Sequence, residues 1–192
     1  MRWNSAGVWV KEREINQTEM EYQMRNWYYF NWLCGDHICE QHIHNLDVAN
    51  WFLNEYPETA QGMGGREIRK DKKFGEIFDH HYVEFKYKSG AIVSSQCRHQ
   101  PNTHRQVNET IIGTKGVLEI SGNGNAIIKN HNGDTLFQYN QRGDESPYQI
   151  EHNELFKSIR NGGYINDGEN GAKATLTSVM GRMATYLSLI HI

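Results

Sequence analysis

Two histidines and two acidic residues are spaced so that they could share one side of a helix and exchange protons there. They are His37, Glu40, His44 and Asp47, at intervals of three, four and three residues. Residues three or four apart are neighbours on a helix surface, and imidazole and carboxylate groups move protons near neutral pH. The pattern indicates a general acid–base site. A hydrogen-bonded helix face without chemistry is an equally good interpretation of the spacing alone.

A metal site is another interpretation of the same stripe. His37 and His44 stand seven residues apart with Glu40 between them, whereas a helical zinc site of the His-Glu-x-x-His type has its histidines four residues apart. We therefore assign no metal ligand from the sequence. A metal-dependent hydrolase that uses His37, Glu40 and His44 is kept as an alternative hypothesis.

A helix is needed to hold the stripe, and the sequence supplies its start and its end. Gly35 and Asp36 precede the stripe, and an aspartate there can accept hydrogen bonds from the free N–H groups of a first helical turn. Apolar residues then recur at spacings of mostly three or four, which is typical of an amphipathic helix. We predict one helix over about residues 38–54, ended near Tyr56-Pro57 because proline cannot continue it.

Periodicity and turn residues predict the other elements. Residues 1–15 are expected to form a loop with a short extended piece, and a helix is expected from Thr18 to Trp32. The glycine-rich segment 62–66 lacks a phosphate-binding pattern and is predicted to be a turn or a mobile loop. Alternation and turn signals predict strands at residues 76–88, 91–100, 107–112, 117–120, 125–130 and 135–139.

Two helices are predicted to follow the strands, Tyr148–Asn161 and another from Gly168 onward. The apolar stripe of the last helix is expected to comprise Ala172, Leu176, Val179, Met180, Met183 and Leu187. Because the predicted strands are joined by short links, we expect antiparallel pairing. The fold class is α+β: a mostly antiparallel open sheet of about six strands with helices packed on one face.

Composition excludes several classes of protein. The 192 residues are 38% hydrophobic and carry a net charge of −3, so the chain can bury a core but lacks the basic face of a nucleic-acid-binding protein. It has neither an apolar run that could span a membrane nor a signal-peptide pattern. Cys34, Cys39 and Cys97 predict neither a disulfide framework nor a zinc ribbon. We take the cytoplasm as the default compartment, or the periplasm if an upstream segment carries a signal.

Four stretches of the chain resemble one protein family. The first is residues 25–47, which contains the stripe, and the others are residues 108–116, 151–162 and 178–184. Together they resemble the C-terminal half of the Gfo/Idh/MocA oxidoreductases, the family of glucose–fructose oxidoreductase and inositol dehydrogenase. The resemblance implies an α+β domain like the C-terminal domain of dihydrodipicolinate reductase. It also implies an N-terminal Rossmann domain that binds NAD or NADP and supplies a lysine.

The family pattern Asp-x-Gly-x-His-x-x-Asp can be placed on the stripe. Its acid falls on Glu40, its histidine on His44 and its later acid on Asp47. Glu40 replaces the usual aspartate, and His42 replaces the glycine, which puts a second imidazole beside the site. The resemblance implies hydride transfer from a secondary alcohol of a sugar, polyol or glycoside to the nicotinamide. We expect His44 to act as general base and Glu40 to orient its imidazole.

Other residues are candidates for supporting the reaction or contacting substrate. His37, His42 and Asp47 are expected to support the catalytic pair. Arg98 and His99, at a predicted strand end, are candidate substrate contacts. Lys11 and Arg13 could hold an anionic or hydroxyl-rich ligand, although two exposed cations in a loop are more often solvated.

The chain lacks the cofactor half that the resemblance implies. It contains neither a strand–Gly-x-Gly-x-x-Gly–helix unit nor a Glu-Lys-Pro motif. We therefore expect residues 1–192 to be a single C-terminal substrate-binding and oligomerisation domain, truncated at both ends and inactive alone. The resemblance implies a homodimer or tetramer formed through the sheet face. A non-catalytic sugar-binding or oligomerisation module is the alternative.

Overall fold

The computed structural model describes residues 1–187 and 189–191. The chain divides into two compact units, Met1–Glu109 with Lys173–Ile192, and Thr110–Ala172. The described α-helices are Glu19–Arg25 (α1), Asn31–Cys34 (α2), His37–Glu40 (α3), Ile43–Leu53 (α4), Pro147–Asn161 (α5) and Gly168–Leu187 (α6). Short 3₁₀ turns cover Trp27–Tyr29 and Lys72–Phe74. The described strands are Arg2–Ser5 (β1), Pro57–Gly65 (β2), His80–Tyr87 (β3), Ile92–His99 (β4), Gln106–Gly113 (β5), Gly116–Ser121 (β6), Ala126–Lys129 (β7), Thr135–Tyr139 (β8) and Leu189–His191 (β9).

The sheet of the first unit is mostly antiparallel, as predicted. Its strand order is β5-β1-β4-β3-β2-β9. β1 is the exception, because it pairs in parallel with β4 and antiparallel with β5. β1 lies in residues 1–15, outside the six strands for which antiparallel pairing is predicted. That strand reaches β4 through most of the unit rather than through a short link, so the argument from short links does not apply to it.

One face of this sheet carries the core of the first unit. β3 and β4 alternate, so that Val83, Phe85 and Cys97 are buried while their sequence neighbours are more exposed. The buried side chains pack against Ile38 of α3 and Met180 of α6. Burial of one large apolar side chain of this kind contributes about 1.5–3 kcal/mol. The prediction of an α+β fold with helices on one face of the sheet is confirmed.

The predicted apolar stripe of α6 matches the buried face only in part: Met180 is buried and Val179 is partly buried. Leu176 and Leu187 are 57% and 63% exposed. The residues buried on α6 are mostly small: Ala174, Thr177, Ser178, Met180, Gly181, Ala184 and Thr185. At Gly181, a β-carbon would lie 2.7 Å from the ring of Phe85. The helix therefore approaches the large side chains of the sheet closely, and only small residues fit between them.

The helix predicted over residues 38–54 is interrupted. Asp36 caps α3 as expected, since its carboxylate accepts the His37 N–H at 2.7 Å. α3 ends at Glu40, however, and α4 begins only at Ile43. The intervening His42 N–H bonds to the carbonyl of His37 at 3.1 Å, one residue further back than in an α-helix. The break lets the His42 side chain turn into the core.

Two other predictions of local structure are wrong. The helix predicted from Thr18 to Trp32 ends at Arg25 and continues as a 3₁₀ turn and the short α2. The glycine-rich segment is not a turn but part of strand β2. A β-carbon on Gly64 would lie 2.5 Å from the carbonyl oxygen of His80 on the neighbouring strand, and one on Gly62 would lie 2.8 Å from that of Tyr82. The glycines there permit a close approach between two strands.

The second unit contains the remaining predicted strands and helix. β6, β7 and β8 pair antiparallel in sequence order, and the β7–β8 turn has Gly133 at φ 93°. α5 ends at Gly162, which adopts the left-handed conformation at φ 66°. Across both units, no described helix is long and apolar enough to cross a membrane.

Candidate functional site

Asp36 stands at the centre of a buried polar cluster in the first unit. Its side chain is fully buried and its backbone has φ 78° and ψ 158°, a conformation that residues other than glycine rarely adopt. Oδ1 accepts the His37 N–H, while Oδ2 accepts the Phe78 N–H and the Tyr186 hydroxyl, both at 3.1 Å. The carboxylate thus joins the start of α3 to the segment before β3 and to the end of α6.

Three buried imidazoles surround this carboxylate. His81 Nε2 lies 3.1 Å and His37 Nδ1 lies 3.3 Å from Asp36 Oδ1. The ring of His37 stacks on that of His99 with centroids 4.4 Å apart, and it meets His81 edge-on at 4.8 Å. Among the residues that the structure describes, Asp36, His37 and His81 are the group of ligand-type side chains close enough to hold one metal ion.

The buried environment shifts the ionisation of this cluster. Burial, followed by the charges of His37 and Arg69, lowers the pKa of His99 to about 2. Burial alone would raise the pKa of Asp36, but the neighbouring His81 and His37 outweigh it and hold that pKa well below its usual range. At neutral pH, His99 is therefore neutral and Asp36 carries a negative charge.

His99 contacts aromatic and amide side chains. Its ring stacks on Tyr28 with centroids 5.5 Å apart, and its Nε2 donates to Gln41 Oε1 at 2.9 Å. Burial raises the pKa of Tyr28, and the nearby Glu40 carboxylate raises it further. Glu40 itself is half-buried at the end of α3. Tyr28 thus contacts the buried imidazole of His99 and lies near the Glu40 carboxylate.

His42 is a buried connection between α4 and the sheet. Its Nδ1 donates to Asn45 Oδ1 at 3.1 Å, and its Nε2 accepts from the Ser95 hydroxyl at 2.7 Å. Burial lowers the pKa of His42 to about 3. Asn45 in turn donates to the buried Glu109. Both nitrogens of this imidazole are occupied by protein groups, so the ring does not point at a substrate from beside the site.

His44 is the exposed histidine of the stripe. It lies in the first turn of α4, and its ring centroid is 5.9 Å from that of Trp3 in β1. Asp47, one turn further along α4, is half-buried. The structure places His37 inside the cluster and His44 at the surface, so the stripe is divided by the break between α3 and α4.

Arg98 and His99 lie on opposite faces of the sheet, because successive residues of a strand alternate. Arg98 lines a shallow cleft of about 570 Å³ on the open face, together with His80, Tyr82 and Gln96. It also donates to the carbonyl of His104. A single ligand on one face therefore cannot contact both side chains directly.

The two cations of the N-terminal loop are held differently. Arg13 forms an ion pair with Glu19, and its guanidinium lies 4.1 Å from the ring centroid of Tyr22. Lys11 is exposed, and its backbone N–H donates to Asn26 Oδ1 at 2.7 Å. Arg13 thus has protein partners, whereas the Lys11 side chain faces solvent.

Sequence reasoning missed His81, Tyr28 and Tyr186 as members of the cluster, and it predicted Asp36 only as a helix cap. A signal for His81 was present, since the alternation through Val83 and Phe85 extends back to it and puts it on the buried face. Tyr186 approaches Asp36 from the end of α6, 150 residues away. No local pattern could have shown that contact.

Comparison with known proteins identifies the family. Residues 12–119 match the family model of the GFO/IDH/MocA C-terminal domain. A comparison with curated proteins gave no match.

Solved structures with the same fold are oxidoreductases by name. The aldose-aldose oxidoreductase from Caulobacter crescentus, in complex with glycerol, has 16% identity and a TM-score of 0.73, covering 100% of this chain and 54% of its own. An oxidoreductase from Agrobacterium radiobacter, in complex with NAD⁺, L-tartaric acid and magnesium, has 14% identity and a TM-score of 0.63, covering 99% and 55%. Levoglucosan dehydrogenase, in complex with NADH and levoglucosan, has 15% identity and a TM-score of 0.63, covering 86% and 53%.

The chain spans about half the length of these solved structures. At such low identities the likeness shows a shared fold. The family model, by contrast, matches more than half of the chain. The chain therefore belongs to the GFO/IDH/MocA family, with the fold of that family's C-terminal domain.

Proposed function

We propose that this chain is the substrate half of an NAD(P)-dependent oxidoreductase that acts on a secondary alcohol of a sugar, polyol or glycoside. The observation that carries the proposal is the exposure of His44 at the position where the family pattern has its histidine. The stripe's other histidine, His37, is fully buried, as is His42 beside it. His44 is thus the stripe imidazole that a bound hydroxyl group could reach.

The proposed role of His44 is to take the hydroxyl proton as the hydride leaves the same carbon. When bound, the nicotinamide supplies the hydride acceptor. The imidazole supplies the proton acceptor, which general-base catalysis requires within hydrogen-bond reach of the hydroxyl. Glu40, at the end of α3, is proposed to orient that imidazole, and Asp47 to support it from the next turn of α4. The indole ring of Trp3 lies beside the His44 ring.

The described residues fit proton transfer better than dinucleotide binding. The glycine-rich segment is strand β2, not a turn that leads into a helix. We therefore assign NAD or NADP to a part of the enzyme other than these residues. Levoglucosan and glycerol in related structures support a hydroxyl-rich substrate for this chain.

A role in assembly is proposed for the open face of the first unit's sheet. Met63 of β2 and Ile92 of β4 are 73% and 65% exposed, and Tyr82 and Arg98 line the cleft of that face. We propose these exposed apolar side chains as subunit contacts. A homodimer or tetramer is expected in light scattering, and Ile92→Glu is expected to weaken it.

The decisive experiment uses the full-length protein that contains this chain. Reduction of NAD⁺ and NADP⁺ is measured against a panel of sugars, polyols and glycosides, for the wild type and for His44→Ala. The variant is expected to lower kcat by about 10²–10⁴-fold without loss of cofactor binding. His152→Ala, at another exposed histidine, serves as the matched control and is expected to retain full activity.

Two results would contradict the proposal. Unchanged turnover in His44→Ala would favour the non-catalytic sugar-binding or oligomerisation module. Turnover by the isolated 192-residue chain with added NAD⁺ would show that no other part of an enzyme is needed.

A further inference from the structure

Three potential metal-ligand side chains converge in the buried cluster without a hydrogen bond between any two of them. One ligand atom from each of Asp36, His37 and His81 lies within 4.8 Å of the other two. Two of these separations, 3.1 Å and 3.3 Å, both involve Asp36 Oδ1. At such distances a hydrogen bond is expected, but neither His81 Nε2 nor His37 Nδ1 has a hydrogen-bond partner.

The contact between His81 and Thr185 shows which ring nitrogen of His81 carries the proton. Thr185 Oγ1 gives its own proton to the carbonyl of Arg182 at 2.7 Å, so towards His81 Nδ1, 2.9 Å away, it can only accept. Nδ1 must therefore carry a proton. In the neutral ring, Nε2 then carries a lone pair and has no proton to donate to Asp36 Oδ1, 3.1 Å away. Two lone pairs at 3.1 Å repel unless a positive charge lies between them.

A single proton shared between Asp36 and His81 would not give His37 a partner. Its side chain is fully buried, and both of its ring nitrogens lack a hydrogen-bond partner among the described residues. A proton between Asp36 and His81 would satisfy those two residues and leave His37 unsatisfied. A buried imidazole without any partner is costly. A cation shared by all three side chains would satisfy each of them.

The two separations from Asp36 Oδ1 agree with a tetrahedral ion. Zinc–nitrogen and zinc–oxygen bonds of about 2.0–2.1 Å place two ligand atoms roughly 3.3–3.4 Å apart at a tetrahedral angle, close to the two separations from Asp36 Oδ1. Ligands in metal sites are normally held by further hydrogen bonds. Here Thr185 holds the far nitrogen of His81, and Phe78 and Tyr186 hold the far oxygen of Asp36.

We propose that Asp36, His37 and His81 bind a divalent transition-metal ion, with zinc the expected occupant. The three side chains are 0–3% exposed, which leaves no room for a substrate, so the ion would be structural. It would tie the start of α3 to β3, and Tyr186 would extend that tie to α6. This site shares His37 with the metal site considered from the stripe, but Asp36 and His81 take the places of Glu40 and His44. It does not depend on the proposed oxidoreductase activity.

The test begins with metal analysis of the protein purified without a chelator and without a histidine tag. Stoichiometric zinc, or another first-row divalent metal at that level, is expected. The protein is then stripped and titrated with Co²⁺, whose visible absorption reports a tetrahedral site with nitrogen ligands. Stripping is expected to lower Tm by about 5 °C or more, and added Zn²⁺ is expected to restore it.

Variants assign the site to these residues. His37→Ala and His81→Asn are each expected to abolish the Co²⁺ absorption. His42→Gln changes a buried histidine outside the site and is expected to keep it. If a variant fails to fold, the titration of the wild type still decides. A folded wild type that holds no metal and takes up no Co²⁺ would overturn the proposal, as would Co²⁺ binding that survives both substitutions.

Discussion

The Tyr186 hydroxyl donates a hydrogen bond to Asp36 Oδ2 at 3.1 Å and so joins the end of α6 to the residue that starts α3. The ring of Tyr186 also stacks on Phe78, with centroids 3.9 Å apart and planes nearly parallel. Phe78 in turn donates its N–H to the same carboxylate oxygen. Two segments far apart in the sequence thus contact Asp36 and each other.

Tyr186→Phe tests this link. The substitution keeps the stacked ring and removes one of the two hydrogen bonds to Oδ2 of a buried, charged carboxylate. We expect the free energy of unfolding to fall by about 1–3 kcal/mol, measured by urea denaturation. Tyr164→Phe removes a hydroxyl from an exposed tyrosine and is the control. Equal effects of the two substitutions would show that the link is not stabilising.

Gly181→Ala tests the close packing of α6. The added β-carbon would lie 2.7 Å from Cζ of Phe85 and 3.1 Å from Cδ1 of Ile38. We expect a loss of about 1–3 kcal/mol from overpacking, even though alanine favours helix formation. Gly171→Ala is the matched control in the same helix, because its β-carbon meets nothing within 4 Å. That control is expected to gain about 0.4–1 kcal/mol, and a gain at both positions would contradict the packing.

The buried His42 predicts a loss of stability in acid. Its pKa is about 3 in the folded protein, lowered by burial, against 6.5 for an unperturbed histidine. Between those values the unfolded chain binds a proton that the folded chain does not. Each unit of pH below 6.5 therefore removes about 1.4 kcal/mol, until pH approaches 3. The titratable groups that act on His42 are His37, His81 and the Met1 amino group.

Urea unfolding of the wild type and of His42→Gln, each between pH 7 and about pH 4, isolates this contribution. The variant cannot take up the proton, so its stability is expected to fall less steeply over that range. Parallel pH dependences of the two proteins would show that another group is responsible.

Glu40 provides a test of the proposed catalytic pair. Glu40→Gln keeps the size of the side chain but removes the charge that would stabilise a protonated His44, and it is expected to lower kcat at least about tenfold. Glu40→Asp installs the acid usual in the family pattern and is expected to retain more activity than Glu40→Gln. Steady-state kinetics of the full-length enzyme checks both. Equal activities in all three proteins would remove Glu40 from the mechanism.

The sequence predicted the features that depend on local patterns. The Thr18 and Asp36 caps, the strands β3 to β8 and the end of α5 at Gly162 all follow from residue types within a few positions. The break at His42 instead accompanies a hydrogen bond from this side chain to Ser95 on a distant strand. Likewise, α6 buries small residues because Phe85 occupies the space that a leucine would need. The helix break and the buried face of α6 depend on contacts with residues distant in the sequence, and a single sequence does not reveal such contacts.

The placement of β1 has a consequence for how the chain folds. β1 lies between β4 and β5, and its partners in β5 are Gln106, Val107 and Asn108. On the ribosome, β1 emerges before either neighbour: its partners in β4 are complete only when residue 99 has been made, and its partners in β5 only when residue 108 has been made. Long-range pairing of this kind slows folding and leaves strand edges open to other chains in the meantime. We therefore expect refolding of the first unit to be limited by insertion of its earliest strand.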